Sequence, residues 1–203
     1  MDFLLGKRFF IPGIALLFLF WGASLFFTLD WDLPSKYPPE TDGIPPKLSF
    51  SAREMMRADT CKYPPLQYLL VDALTERTQE KSLSEKELLA GRSFRILLCR
   101  FLSAFAGLLT AFLLYFASVS LLEHPPVYGF FGSLSFLLLP PALFYSRTSN
   151  MDMPVCFWFV FSLFLAAWAE CKFAAPEKRK QYLLTHFLAG ICCGCAFCTK
   201  DQI

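Results

Sequence analysis

What most constrains this chain is the recurrence of apolar stretches close to the roughly 20 residues a helix needs to cross about 30 Å of hydrocarbon. They cover residues 9–28, 96–122, 127–145, 153–169 and 182–198, which predicts five spans. The fold class expected is all-α: a polytopic transmembrane helical bundle. Composition agrees, since 55% of the residues are hydrophobic, 24 are Phe and only 18% are charged. That is more apolar than a soluble domain tolerates, so membrane lipids are the expected surroundings. A net charge of +2, with no basic stripe interleaved with aromatics, gives no nucleic-acid signal, and no nucleic-acid partner is expected.

The first stretch follows Lys7 and Arg8 and so resembles a signal peptide, but it is long for one. It runs into Leu29-Asp30-Trp31-Asp32 with no small-residue cleavage pattern, and reads as an uncleaved anchor. The eight cysteines do not form a disulfide framework. Cys99, Cys156, Cys192, Cys193, Cys195 and Cys198 fall within or at the edge of apolar spans and act most simply as small packing residues. The two CxxC spacings in Cys192-Cys193-Gly194-Cys195-Ala196-Phe197-Cys198 share Cys195 and have no second ligand pair elsewhere, so neither a metal nor a cofactor is expected.

Charge position sets orientation. Lys7 and Arg8 precede the first span, and Lys172, Lys178, Arg179 and Lys180 lie between the fourth and fifth, so the positive-inside rule places both segments in the cytoplasm. Residues 29–95, the short turn 146–152 and the end at Thr199-Lys200-Asp201 then face outside. The long loop carries Lys36, Lys47, Arg53, Arg57 and Arg92, but long loops cross largely regardless of charge. Its proline-rich start reads as irregular structure. Residues 48–56 and 66–73 read as short helices, the second lying along the membrane surface, and residues 82–89 as an amphipathic helix with Ser84 and Glu87 forming a capping box. Together these form an outer cap.

One outer surface thus gathers Asp30, Asp32, Glu40, Asp42, Lys62, Arg147, Asp152 and Lys200. Carboxylates there can take a proton from an acceptor hydroxyl, while Lys and Arg can hold a phosphate and stabilise its developing charge. The plain alternative is an ordinary wet loop. For the second outer turn a structural account also exists: Asn150 caps the fourth span, Asp152 sits near its positive end, and Pro154 is tolerated in its first turn. Lys200 and Arg100 can each snorkel to the interface, or Arg100 can pair with a loop carboxylate. The two prolines after Lys62-Tyr63 make a rigid entry to the surface helix.

The order of these pieces resembles the GT-C superfamily of membrane glycosyltransferases, in particular the group containing aminoarabinose transferase and the protein O-mannosyltransferases. The resemblance rests on Ser51-Ala52-Arg53-Glu54-Met55-Met56, Lys62-Tyr63-Pro64-Pro65-Leu66-Gln67-Tyr68-Leu69-Leu70 and Arg100-Phe101-Leu102-Ser103-Ala104. It continues through Tyr145-Ser146-Arg147, Asp152, and Gly194-Cys195-Ala196-Phe197-Cys198-Thr199-Lys200. It implies transfer of a sugar, with inversion, from a polyprenyl-phosphate donor to a lipid, glycan or protein acceptor at the outer face of a cell-envelope membrane. The expected location is a bacterial inner membrane, with the N-terminus cytoplasmic.

By this resemblance Asp42 and Asp152 are the catalytic acids, and Lys62, Arg147 and Lys200 contact the donor phosphate. The group's first-loop aspartate usually stands in an Asp-Glu pair, whereas this chain offers Asp42-Gly43 with Asp30, Asp32 and Glu40 as rivals. Family members usually carry more spans, so residues 1–203 are expected to be the N-terminal transmembrane part of such an enzyme. The alternative function is a non-catalytic membrane protein that binds or carries a lipid-linked headgroup.

Overall fold

The computed structural model describes residues 12–13, 15–19, 21–23, 29–30, 66–74, 84–149 and 151–199. Among these there is helix and no strand, the all-α bundle expected from the spans. The elements in order are an N-terminal helical segment within residues 12–23, α1 (Leu66–Leu74), α2 (Glu85–Ser120), α3 (Pro126–Leu138), α4 (Pro140–Tyr145), α5 (Asp152–Phe173), a 3-10 turn (Pro176–Lys178) and α6 (Arg179–Thr199). Among the described residues, three helical stretches are long and apolar enough to cross a membrane: α2, α5 and residues 176–199. The expected helix over residues 48–56 and the proline-rich start of the first loop lie outside the described residues.

α2 begins where Ser84 caps it. The Ser84 hydroxyl accepts from the Glu87 N–H at 3.4 Å, and the Ser84 N–H donates to the Glu87 carboxylate at 2.8 Å, the reciprocal pair of a capping box. The Ser84 hydroxyl also donates to that carboxylate at 2.7 Å, and this bond, followed by the one from the Ser84 N–H, holds the Glu87 carboxyl below its ordinary value. The amphipathic helix expected over residues 82–89 is therefore not separate. With no proline between Ser84 and Ser120, it continues into the second span as one 36-residue helix, about 54 Å long. α2 ends in a turn with Glu123 at φ 54°, where the His124 N–H reaches back to the Ser118 carbonyl at 3.1 Å.

The third expected span is not one helix. Pro140 and Pro141 bring no N–H to the carbonyls of Phe136 and Leu137, and Leu139 turns extended (ψ 130°). The stretch divides into the 13 residues of α3 and the 6 of α4. α5 and α6 follow the fourth and fifth expected spans, with ends a few residues beyond them.

Pair contacts give the directions of the helices. Trp21 Nε1 donates to the Ala104 carbonyl at 2.9 Å and the rings of Phe18 and Phe112 stand 4.7 Å apart, so the N-terminal segment runs antiparallel to α2. The Ser133 hydroxyl donates to the Ala111 carbonyl at 2.7 Å, and Gly129 backs onto Tyr115, so α3 returns antiparallel along α2. The Ser162 hydroxyl donates to the Ala189 carbonyl at 2.8 Å and Tyr182 to Glu170 at 2.7 Å, which pairs α5 and α6 as a hairpin. A buried cluster of Leu17, Trp21, Leu108, Ala111 and Leu137 joins the N-terminal segment, α2 and α3. Phe94, Leu97, Phe101 and Phe105 recur along one exposed face of α2, as do Leu183, Leu184, Phe187 and Ile191 on α6. In a membrane such faces meet lipid.

Two contrasts test this packing. A Cβ at Gly129 would stand 3.1 Å from the Tyr115 carbonyl oxygen, which cannot move without α2, whereas nothing lies within 4 Å of one at Gly132. Gly129→Ala should cost about 1–3 kcal/mol in reversible unfolding, while Gly132→Ala should be neutral or stabilising by roughly 0.5–1 kcal/mol. Ser84→Ala should speed amide exchange in the first turn of α2, a cap being worth about 1 kcal/mol. With the folded Glu87 value lowered below 4.5, the protection from its carboxylate is complete above pH 4.5. It is lost as pH falls through the lowered value.

Candidate functional site

The turns at 121–125 and 174–178 close one end of the bundle, and the segment from Ser146 to Asp152 lies at the other. Although it connects two helices, this segment is not a wet loop. Ser146, Thr148, Ser149 and Met151 are all buried. Local hydrogen bonds supply what solvent would otherwise give its backbone. The Ser146 and Arg147 N–H groups donate to the Ala142 and Phe144 carbonyls, and the Ser146 and Thr148 hydroxyls to those of Ala142 and Tyr145. The segment is sunk into the bundle because Gly107 of α2 leaves room for it: a Cβ there would stand 2.7 Å from the Ser146 hydroxyl oxygen and 3.2 Å from both Met153 and Trp21.

Polar side chains collect on α2 at the same end. Arg95, Arg100 and Ser103 are buried, Arg100 completely. Arg100 therefore does not snorkel; its Nη1 donates to the Leu29 carbonyl at 2.7 Å and ties the start of the first long loop to α2. On α6, the buried Thr199 bonds back to the Cys195 carbonyl at 2.8 Å. Asp152 and Thr199 are each ten residues from the Ser162–Ala189 bond that pairs their helices, so the antiparallel hairpin sets them at one level.

The structure thus brings two of the expected site residues, Arg147 and Asp152, onto one short segment, both half-buried. Asp152 lies in the first turn of α5, whose exposed N–H groups favour a negative charge. Met151 occupies the N-cap position without a side-chain hydrogen bond; Asn150, expected as the cap, lies outside the described residues. So do Asp42, Lys62 and Lys200, together with Asp32 and Glu40, while the rival Asp30 is exposed beside Leu29. Among the described residues no group of three or more His, Cys, Asp or Glu side chains is placed to hold a metal ion.

Sequence reasoning passed over Arg95, which it took as the last residue of a loop, and Gly107, which it took as part of an apolar run. The signal for Arg95 was an ionisable side chain bordering continuous hydrocarbon. For Gly107 there was none, because its significance depends on what packs against it.

Just past this polar end lies an apolar groove of about 470 Å³. Phe18 of the N-terminal segment, Leu109, Phe112, Leu113 and Phe116 of α2, and Phe157 and Phe161 of α5 line it. Along α5, Phe157 stands four residues, about one helical turn, beyond Met153, which packs at Gly107. The groove and the first turn of α5, which carries Asp152, are thus about one turn apart along that helix. The arrangement suits an amphiphile with an anionic head.

Compared with known families, residues 64–203 match the family model described as dolichyl-phosphate-mannose-protein mannosyltransferase. The match includes Arg147, Asp152 and Lys200; Asp42 and Lys62 precede it. No curated protein and no solved structure matches the chain.

The Arg100 anchor can be tested directly. Arg100→Met keeps the apolar stem but leaves the Leu29 carbonyl without its donor, and should lower unfolding free energy by about 1.5–3 kcal/mol, the worth of a hydrogen bond to a charged group. Arg100→Lys, still cationic but without the planar fork, should fall between the two in the same thermal-unfolding measurement.

Proposed function

The chain belongs to the dolichyl-phosphate-mannose-protein mannosyltransferase family, a family of membrane glycosyltransferases that use a polyprenyl-phosphate-linked sugar, and from that premise we propose that it transfers such a sugar to a lipid, glycan or protein acceptor at the outer face of the membrane. The observation that carries this reading is the adjacency of the sunken segment bearing Arg147 and Asp152 to the apolar groove beside it. A polyprenyl-phosphate sugar needs both environments within one molecular length. The outer-face reading is supported by the positive-inside rule, since Lys172, Lys178, Arg179 and Lys180 gather around the turn between α5 and α6, at the opposite end from the polar segment.

In the reaction an acceptor hydroxyl oxygen attacks the anomeric carbon of the donor sugar. A carboxylate, assigned to Asp42, takes the hydroxyl proton. The bond from the anomeric carbon to the phosphate oxygen breaks, and its electron pair leaves with polyprenyl phosphate. Lys62, Arg147 and Lys200 stabilise that charge as it develops, and a single displacement inverts the anomeric centre. Asp152, in the first turn of α5, acts as the second acid facing the acceptor. The polyprenyl chain lies along Phe112 and Phe157 in the groove.

In full-length protein assayed with a radiolabelled polyprenyl-phosphate sugar, Asp42→Ala and Lys62→Ala should each cut transfer by about 100-fold or more while membrane levels stay unchanged. Asp152→Asn should do the same. Retained transfer in both the Asp42 and Lys62 variants would overturn their assignment. Donor that binds but never loses its sugar in the unaltered protein would instead identify a lipid-headgroup carrier. Phe112→Trp, which fills the groove, should raise the donor KM with little change in kcat.

A further inference from the structure

The segment carrying Arg147 and Asp152 is located by an absent side chain. At Gly107 the N-terminal segment, α2, the sunken segment and the start of α5 converge, through Trp21, Ser146 and Met153. The 2.7 Å that would separate a Cβ from the Ser146 hydroxyl oxygen is shorter than real Cβ contacts allow. That hydroxyl is not free to turn aside, because it donates to the Ala142 carbonyl at 2.5 Å and its residue is fully buried. Met153 can yield through its flexible thioether, and Trp21 needs to give only a few tenths of an ångström.

Gly129 is tight as well, against Tyr115 of α2, but three other helical glycines are not. A Cβ at Gly132, Gly190 or Gly194 meets nothing within 4 Å. Glycine inside a helix is unfavourable relative to alanine, and at position 107 that disadvantage is matched by a close contact that alanine forbids.

We propose that Gly107 is the seat of the Ser146–Asp152 segment and, through it, a positioning residue for Arg147 and Asp152. With no Cβ at 107, Ser146 rests against the backbone of α2, which fixes how deep the segment sits and how far its two charged residues stand from the groove. The catalytic consequence rests on the function proposed above; the seat does not.

Thr148 reports on the seat because it is 3% exposed. In full-length protein in membranes, Thr148→Cys is labelled with a membrane-impermeant maleimide, and modification of the peptide containing it is followed by mass spectrometry. Adding Gly107→Ala should speed labelling about tenfold, as expected when one methyl group overpacks a seated segment and favours its opening. Ser146→Ala alone should leave the rate near that of Thr148→Cys. The Gly107→Ala/Ser146→Ala pair should return it close to that rate, since the blocking oxygen is gone.

Unchanged labelling in Gly107→Ala, or a double variant labelled as fast as Gly107→Ala, overturns the proposal. If Gly107→Ala fails to accumulate, recovery of accumulation by adding Ser146→Ala supports the seat, and no recovery overturns it. Sugar transfer is read on the same set. A fall in kcat with Gly107→Ala that Ser146→Ala reverses supports the positioning role. Faster labelling with undiminished transfer keeps the seat and overturns the placing of Arg147 and Asp152 in the site.

Discussion

A backbone in hydrocarbon can hydrogen-bond only to itself or to protein, and irregular chain is tolerated there only where protein covers it. Two departures from regular helix occur close together, at Leu139–Pro141 and between Ser146 and Met151. At the first, the Leu139 N–H takes over part of the lost bonding by donating to the Ser135 and Phe136 carbonyls at 3.1 and 3.2 Å. At the second, the Ser146 and Arg147 N–H groups and the Ser146 and Thr148 hydroxyls bond back to carbonyls of the last turn of α4, and Ser146, Thr148, Ser149 and Met151 are buried. A buried stretch of irregular backbone, flanked by charged residues, is the feature around which this end of the molecule is organised.

The large features were legible in the sequence because they follow from length and hydropathy. The cap at Ser84 and Glu87, the short helix α1, and the helices after Asp152 and around residues 182–198 all have local signals. Two errors of division also have local causes. The break at Pro140-Pro141 was present in the sequence, but average hydropathy across residues 127–145 outweighed it. The fusion of residues 82–89 with the second span was hidden by the change from charged to apolar composition, which marks a change of solvent and not the end of a helix.

The candidate site was less legible. Arg147 and Asp152 could be named from their place between two spans, but their surroundings could not, since a polar turn between spans ordinarily suggests water. The burial of Ser146 goes with Gly107, some forty residues earlier in the chain, where Trp21, earlier still, also packs. Contacts at that separation leave no periodicity to read. Arg100 shows the same limit: its complete burial and its bond to the Leu29 carbonyl at the start of the first long loop have no local trace in the sequence.

The groove is lined by carbon alone, from Phe18 to Phe161, and holds about 470 Å³. A long lipid tail laid in it would extend past it into bilayer, which is as apolar as the groove wall. Tail units beyond the groove would therefore stay in bilayer throughout and contribute almost no difference in free energy. Such a wall cannot count the repeats of a long chain. Discrimination between lipids must come from the few units nearest the head and from the head itself, so the enzyme should tolerate carriers of different length while remaining exacting about what they carry.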